Sequence, residues 1–145
     1  LNTLPELPID RKLLDEVVIF YQENLGFGKR DFETLNFATR INQDLGVDGD
    51  DSNDLVPPFF QHFQVDITEY DCLRYFHPEG FGPFFHRRPK DKERRGSRAF
   101  TFGMLYQAAL TKKWCQAVFE SAQWRSERLY ERTEELPVKG FVIRR

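Results

Sequence analysis

The sequence predicts an all-α fold in one domain, and three stretches of apolar residues at helical spacing predict it. Leu13, Leu14, Val17, Val18, Phe20, Tyr21 and Leu25 recur at steps of three and four, as do Leu55, Phe59, Phe60 and Phe63, and then Met104, Leu105, Ala108 and Ala109. That spacing lays apolar side chains along one stripe of a helix. At 145 residues, fifteen of them phenylalanine, the chain suits a single domain (1–145) with a modest, ring-filled core.

The first helix follows Pro8 and Asp10, whose carboxylate is suited to accept from the free N–H groups of a first turn. Gly26 and Gly28 supply its stop. Leu35, Phe37, Ile41 and Leu45 pin a long connection to the core. An acidic loop from Asp44 then runs into the second helix, where Pro57 and Pro58 predict a kink or a restart. Thr68, with Asp71 three positions later, resembles a capping box for a short third helix over 68–76. Residues 81–98 read as an exposed aromatic and basic loop. Thr101 opens the last main helix, and Trp114, Ala117, Val118 and Ala122 predict a helical C-terminal extension that Pro137 closes. Phe141, Val142 and Ile143 read as a short strand or an extended tail.

No apolar run reaches bilayer length and no signal peptide is recognised, so no membrane association is expected. Cys72 and Cys115 stand outside any CxxC arrangement and read as buried small hydrophobes of a protein in the reducing cytoplasm. Charge is unevenly placed. Residues 1–60 hold twelve acids against five bases, whereas His86 to Arg98 holds seven bases against two acids.

The run Asp44-Leu45-Gly46-Val47-Asp48-Gly49-Asp50-Asp51-Ser52-Asn53-Asp54-Leu55-Val56 resembles the segment around the attachment site of acyl carrier proteins. In those proteins a serine after the aspartate takes a phosphopantetheine arm. Here Asp48 keeps the aspartate, Gly49 occupies the serine position, and Asp50 replaces the following leucine. Tyr75-Phe76 and the later Thr101, Gly103, Met104, Leu105, Ala108 and Ala109 are similar to a bacterial family of carrier-like proteins known only as a domain of unknown function, family 1493. The resemblance spans roughly 10–113. It implies an acyl-carrier-like helical bundle, with the basic loop inserted and residues 114–145 appended.

Four chemistries are weighed against bland readings. Gly49 has no hydroxyl for a phosphopantetheine arm, and Ser52, three positions on, reads as a helix-start cap. The alternation Asp48, Asp50, Ser52, Asp54 lacks the glycine and glutamate of a calcium loop, since Asn53 and Phe59 fall at those positions. His62, His77 and His86 have no ligand spacing, and no nucleophile or phosphate-loop motif is present, so neither metal, cofactor nor catalytic residue is expected. The basic patch of Arg87, Arg88, Lys90, Arg94, Arg95 and Arg98, preceded by Phe81, Phe84 and Phe85, is interrupted by Asp91 and Glu93; it reads as a solvated loop, or one docking onto the chain's own acidic half, before it reads as a nucleic-acid contact.

The resulting expectation is a non-enzymatic interaction module. Its acidic helix start, Asp48, Asp50, Asp51 and Asp54, is the expected contact for a basic protein partner, as regulator, adaptor or immunity-type inhibitor. The alternatives are a divergent carrier modified at Ser52 and, more weakly, nucleic-acid binding through the basic loop.

Overall fold

The computed structural model describes residues 3–77, 98–138 and 141–143. In chain order the elements are β1 (Thr3–Leu4), α1 (Arg11–Asn24), α2 (Lys29–Thr34), α3 (Gly49–His62), a 3-10 turn (Cys72–Arg74), α4 (Phe102–Thr111), α5 (Gln116–Ser121), β2 (Gln123–Trp124), β3 (Leu136–Val138) and β4 (Phe141–Ile143). The expectation of an all-α, acyl-carrier-like helical bundle is therefore corrected to a mixed architecture. β1 pairs in parallel with β2, and β3 pairs antiparallel with β4.

The α1 reading holds in detail. Asp10 Oδ1 accepts from Leu13 N at 3.1 Å, and Leu14, Val17, Val18 and Tyr21 form the buried face. The helix ends where Leu25 N and Gly26 N both donate to Tyr21 O, with Gly26 at φ +83°. α1 then packs on α3, α4 and β3. α4 starts after Thr101 as expected, and the structure adds a cap there, the Thr101 hydroxyl accepting from Met104 N.

The second helix does not restart. α3 is one element from Gly49 to His62 with Pro57 and Pro58 inside it. An interior proline frees the carbonyl four residues earlier. Here those carbonyls belong to Asn53 and Asp54, both exposed, so water can serve them, while Leu55, Val56, Phe59 and Phe60 hold the buried face. The short helix predicted over 68–76 shrinks to the 3-10 turn. Its cap is Asp71, which accepts from Leu73 N; Thr68 instead donates through N and Oγ1 to Asp66 Oδ1, a local turn that competes with helix start.

The C-terminal extension departs furthest from expectation. Among the described residues of the extension only Gln116–Ser121 is helical, Val118 is exposed, and the chain then turns extended into β2. The anchors Trp114, Phe119, Leu129, Tyr130 and Leu136 are all buried, and their spacing matches no helix period. They belong to the same core as α1, α3 and α4. Trp114 stacks on Phe100 with ring centroids 5.3 Å apart, and Phe60, Tyr70, Tyr75 and Phe119 surround it at 4.9–5.7 Å. Backbone bonds sew distant segments to this centre. Asp66 N donates to Lys112 O and Trp114 N to Asp66 O, while Ile41 N donates to Phe100 O and Gly103 N to Phe37 O.

Candidate functional site

The acidic start of α3 is built by Asp48, the extended residue before the helix, and Gly49, which opens it at φ +55°. A side chain in that left-handed conformation costs roughly 1–2 kcal/mol. A serine at position 49 would pay that penalty, so the glycine serves the backbone here besides lacking a nucleophile.

The four aspartates do not act alike. Asp48 is occupied: its Oδ1 accepts from His77 N at 2.6 Å and its Oδ2 lies 2.8 Å from His77 Nδ1. It ties the chain at residue 77 to the helix start. Asp50, Asp51 and Asp54 are exposed, and among the described residues none of their carboxylates holds an ion pair or a hydrogen bond. The charge of Asp51 reaches inward as well. Burial pushes the Tyr21 phenol up, and the Asp31 and Asp51 carboxylates push it further.

Ser52 neither caps the helix nor offers itself for modification. It is 6% exposed, and its hydroxyl donates to Gly49 O at 2.6 Å. Of the predicted basic patch, Arg87, Arg88, Lys90, Arg94 and Arg95 lie outside the described residues, as do Phe81, Phe84, Phe85 and His86. Arg98 is described, and its Nε lies 3.9 Å from Glu120 Oε1. Cys72 and Cys115 are free thiols, but Cys72 is exposed and Cys115 only partly covered, so the reading of both as buried hydrophobes is corrected. Among the described residues no group of three His, Cys, Asp or Glu side chains gathers, and no helix is long and apolar enough to cross a membrane.

Two arrangements escaped the sequence reading. In the first, Glu120 of α5 accepts from Arg74 Nε at 2.8 Å, from Arg74 Nη2 and from the Tyr75 hydroxyl. Burial alone would raise this carboxyl, but the hydrogen bonds from Arg74 and Tyr75 and the charges of Arg74 and Arg98 outweigh it and hold it below its ordinary value. A depressed folded pKa stabilises the fold above the unfolded-state value, near 4.3 for a glutamate, and that contribution is lost as pH falls through the folded value. Glu120→Gln is expected to cost about 2 kcal/mol at pH 7 and to flatten the loss of stability below about pH 4.5. Urea midpoints measured from pH 3 to 7 on both proteins check it; parallel curves would refute it.

The second arrangement is a groove of about 520 Å³ along α1, lined by Glu16, Ile19, Phe20, Glu23, Asn24 and His62. His62 closes it from the end of α3, its ring 5.1 Å from that of Phe20. The helix periodicity places Glu16, Ile19, Phe20 and Glu23 on one face of α1, but only tertiary packing brings in His62.

A family described only as a protein of unknown function (DUF1493) matches residues 8–116, more than half of the chain. No curated protein matches the chain. No solved structure matches it either.

Proposed function

We propose that this chain, which belongs to the DUF1493 family of proteins of unknown function, is a protein–protein interaction module that acts by binding and not by catalysis. The observation that carries this reading is the set of three exposed carboxylates, Asp50, Asp51 and Asp54, left without an ion pair among the described residues at the start of a helix. Charges satisfied within the fold are unavailable to a partner; these are available. Asp48, spent on His77, is a positioning residue for that surface. The partner is a basic protein, because complementary charge accelerates encounter and discriminates among partners. Two free thiols suit a reducing compartment.

The test is charge reversal. Asp50→Lys/Asp51→Lys is expected to slow association with a captured partner by tenfold or more at low salt, with the difference shrinking as salt is added. Equal capture and equal rates would remove this surface from the interface.

A carrier role is disfavoured by two residues at once. Gly49 has no hydroxyl, and that of Ser52 is covered and already engaged. Incubation with a broad-specificity phosphopantetheinyl transferase and coenzyme A is expected to leave the intact mass unchanged while a true carrier protein is converted. A gain of one arm, lost in Ser52→Ala, would reinstate the carrier reading.

A further inference from the structure

The groove on α1 has the chemistry of a binding site. Its walls are Glu16 and Glu23, both exposed, and neither carboxylate holds an ion pair or hydrogen bond among the described residues. Two cations on and beside the helix are engaged elsewhere, and Lys12, one turn before Glu16, forms no ion pair among the described residues. Arg11 reaches Asp15, Glu134 and Leu129 O, and Lys29 pairs with Glu33. The floor between the two glutamates is apolar, with Ile19 and Phe20 each half-buried. Phe20 is backed by Phe59 and Phe63, so this floor is part of the packed interface with α3 and is held in place. Carboxylates at both ends of an apolar trough match side chains with a long methylene stem and a cationic head, which bury the stem and keep the head at the rim. Lysine and arginine have that form, and arginine adds a planar fork suited to a carboxylate.

Spacing narrows the occupant. Glu16 and Glu23 are seven positions apart, which on a helix is roughly 10 Å along the axis. A polyproline II segment returns to the same face every third residue after about 9 Å. We propose that this groove docks an extended basic segment of a protein partner, with lysine or arginine side chains three positions apart reaching Glu16 and Glu23 and their stems lying on Ile19 and Phe20. This rests on the interaction-module reading above and gives it a second contact, separate from the start of α3.

The test uses a capped tetrapeptide, Arg-Ala-Ala-Arg, titrated into the full chain at pH 8 and low salt and followed by amide chemical shifts. Saturable shifts are expected along α1 from Glu16 to Asn24 and at His62, with affinity reduced tenfold or more in Glu16→Gln/Glu23→Gln. Glutamine is a good helix former, so an unchanged melting curve would show that the variant stays folded. Capped Glu-Ala-Ala-Glu is expected not to bind. Shifts centred on Asp50 and Asp51, an affinity indifferent to the two glutamines, or no saturable shifts at all would each overturn the proposal. So would arginine methyl ester binding as tightly as the tetrapeptide, which would make the groove a single-cation site. Asp50→Lys/Asp51→Lys is expected to slow partner association while the tetrapeptide shifts stay centred on Glu16 to Asn24, so either contact can fail without the other.

Discussion

Trp114→Ala is expected to destabilise the protein by about 3–5 kcal/mol, the usual range for deleting a fully buried large aromatic side chain. Against a typical domain stability of about 5–15 kcal/mol, that leaves a marginal fold. The reason is position. Trp114 is fully buried, stacks on Phe100, and meets rings from α3, from the segment around the 3-10 turn and from α5. An alanine there leaves a cavity bordered by rigid rings, which collapse poorly into the space. The indole Nε1 has no hydrogen-bond partner among the described residues, so the loss is one of packing and not of polar contacts. Trp114→Phe, which keeps a ring for Phe100 to stack on, should therefore cost only about 1–2 kcal/mol. Urea unfolding of the three proteins decides this. Equal losses for alanine and phenylalanine would place the energy outside the stacking.

Gly103→Ala is expected to show the opposite failure, overpacking, at about 1–3 kcal/mol or more. A Cβ built at Gly103 would lie 2.4 Å from Trp124 Cε3 and 2.8 Å from Phe37 O. Neither obstacle is a flexible side-chain end. One is a backbone carbonyl already accepting from Gly103 N at 2.9 Å, and the other is an indole whose Nε1 donates to Phe119 O. The methyl group must push the start of α4 away from the 37–41 segment or push Trp124 out of its seat beside β1. The expected signature is a lower urea midpoint with unchanged slope, together with altered Trp124 fluorescence. A midpoint equal to the parent's would mean that Trp124 moves aside without cost. The double variant Gly103→Ala/Trp124→Ala should then couple: once the indole is gone, the alanine at 103 has only the carbonyl to meet and costs less.

Much of the helical scaffold was legible because its signals are local. The Asp10 cap, the start of α4 at Thr101, the buried stripe of α1 and the apolar face of α3 each depend on residues within a turn or two of one another. Local rules also misled. Two adjacent prolines argue for a break, yet α3 runs through them because they fall on the side facing solvent. Thr68 and Asp71 have the spacing of a capping box, yet Asp66 captures the Thr68 hydroxyl first. The acidic helix start was found from the charge pattern, but its division of labour was not: the Asp48–His77 pairing spans 29 residues. Arg74 and Glu120 lie 46 apart, and no spacing rule joins them.

The C-terminal third shows the limit most clearly. Trp114, Ala117, Val118 and Ala122 suggest a helix stripe, but Val118 faces solvent and the buried anchors after Trp114 follow the shape of the core already formed. β1 and β2 join residues about 120 positions apart, where each strand alone is only two residues long. Such short segments have no periodicity to read and gain their hydrogen bonds only after the rest of the chain has brought them together. The sequence by itself determined where α1, α3 and α4 lie, where α1 is capped, and that position 49 carries no hydroxyl. Tertiary structure alone decided that Ser52 is covered, that Asp48 is engaged while Asp50, Asp51 and Asp54 hold no ion pair among the described residues, and that a trough on α1 ends at His62. The division follows from range: caps and stripes are made within one helical turn, whereas burial and pairing are properties of the neighbours that the fold supplies.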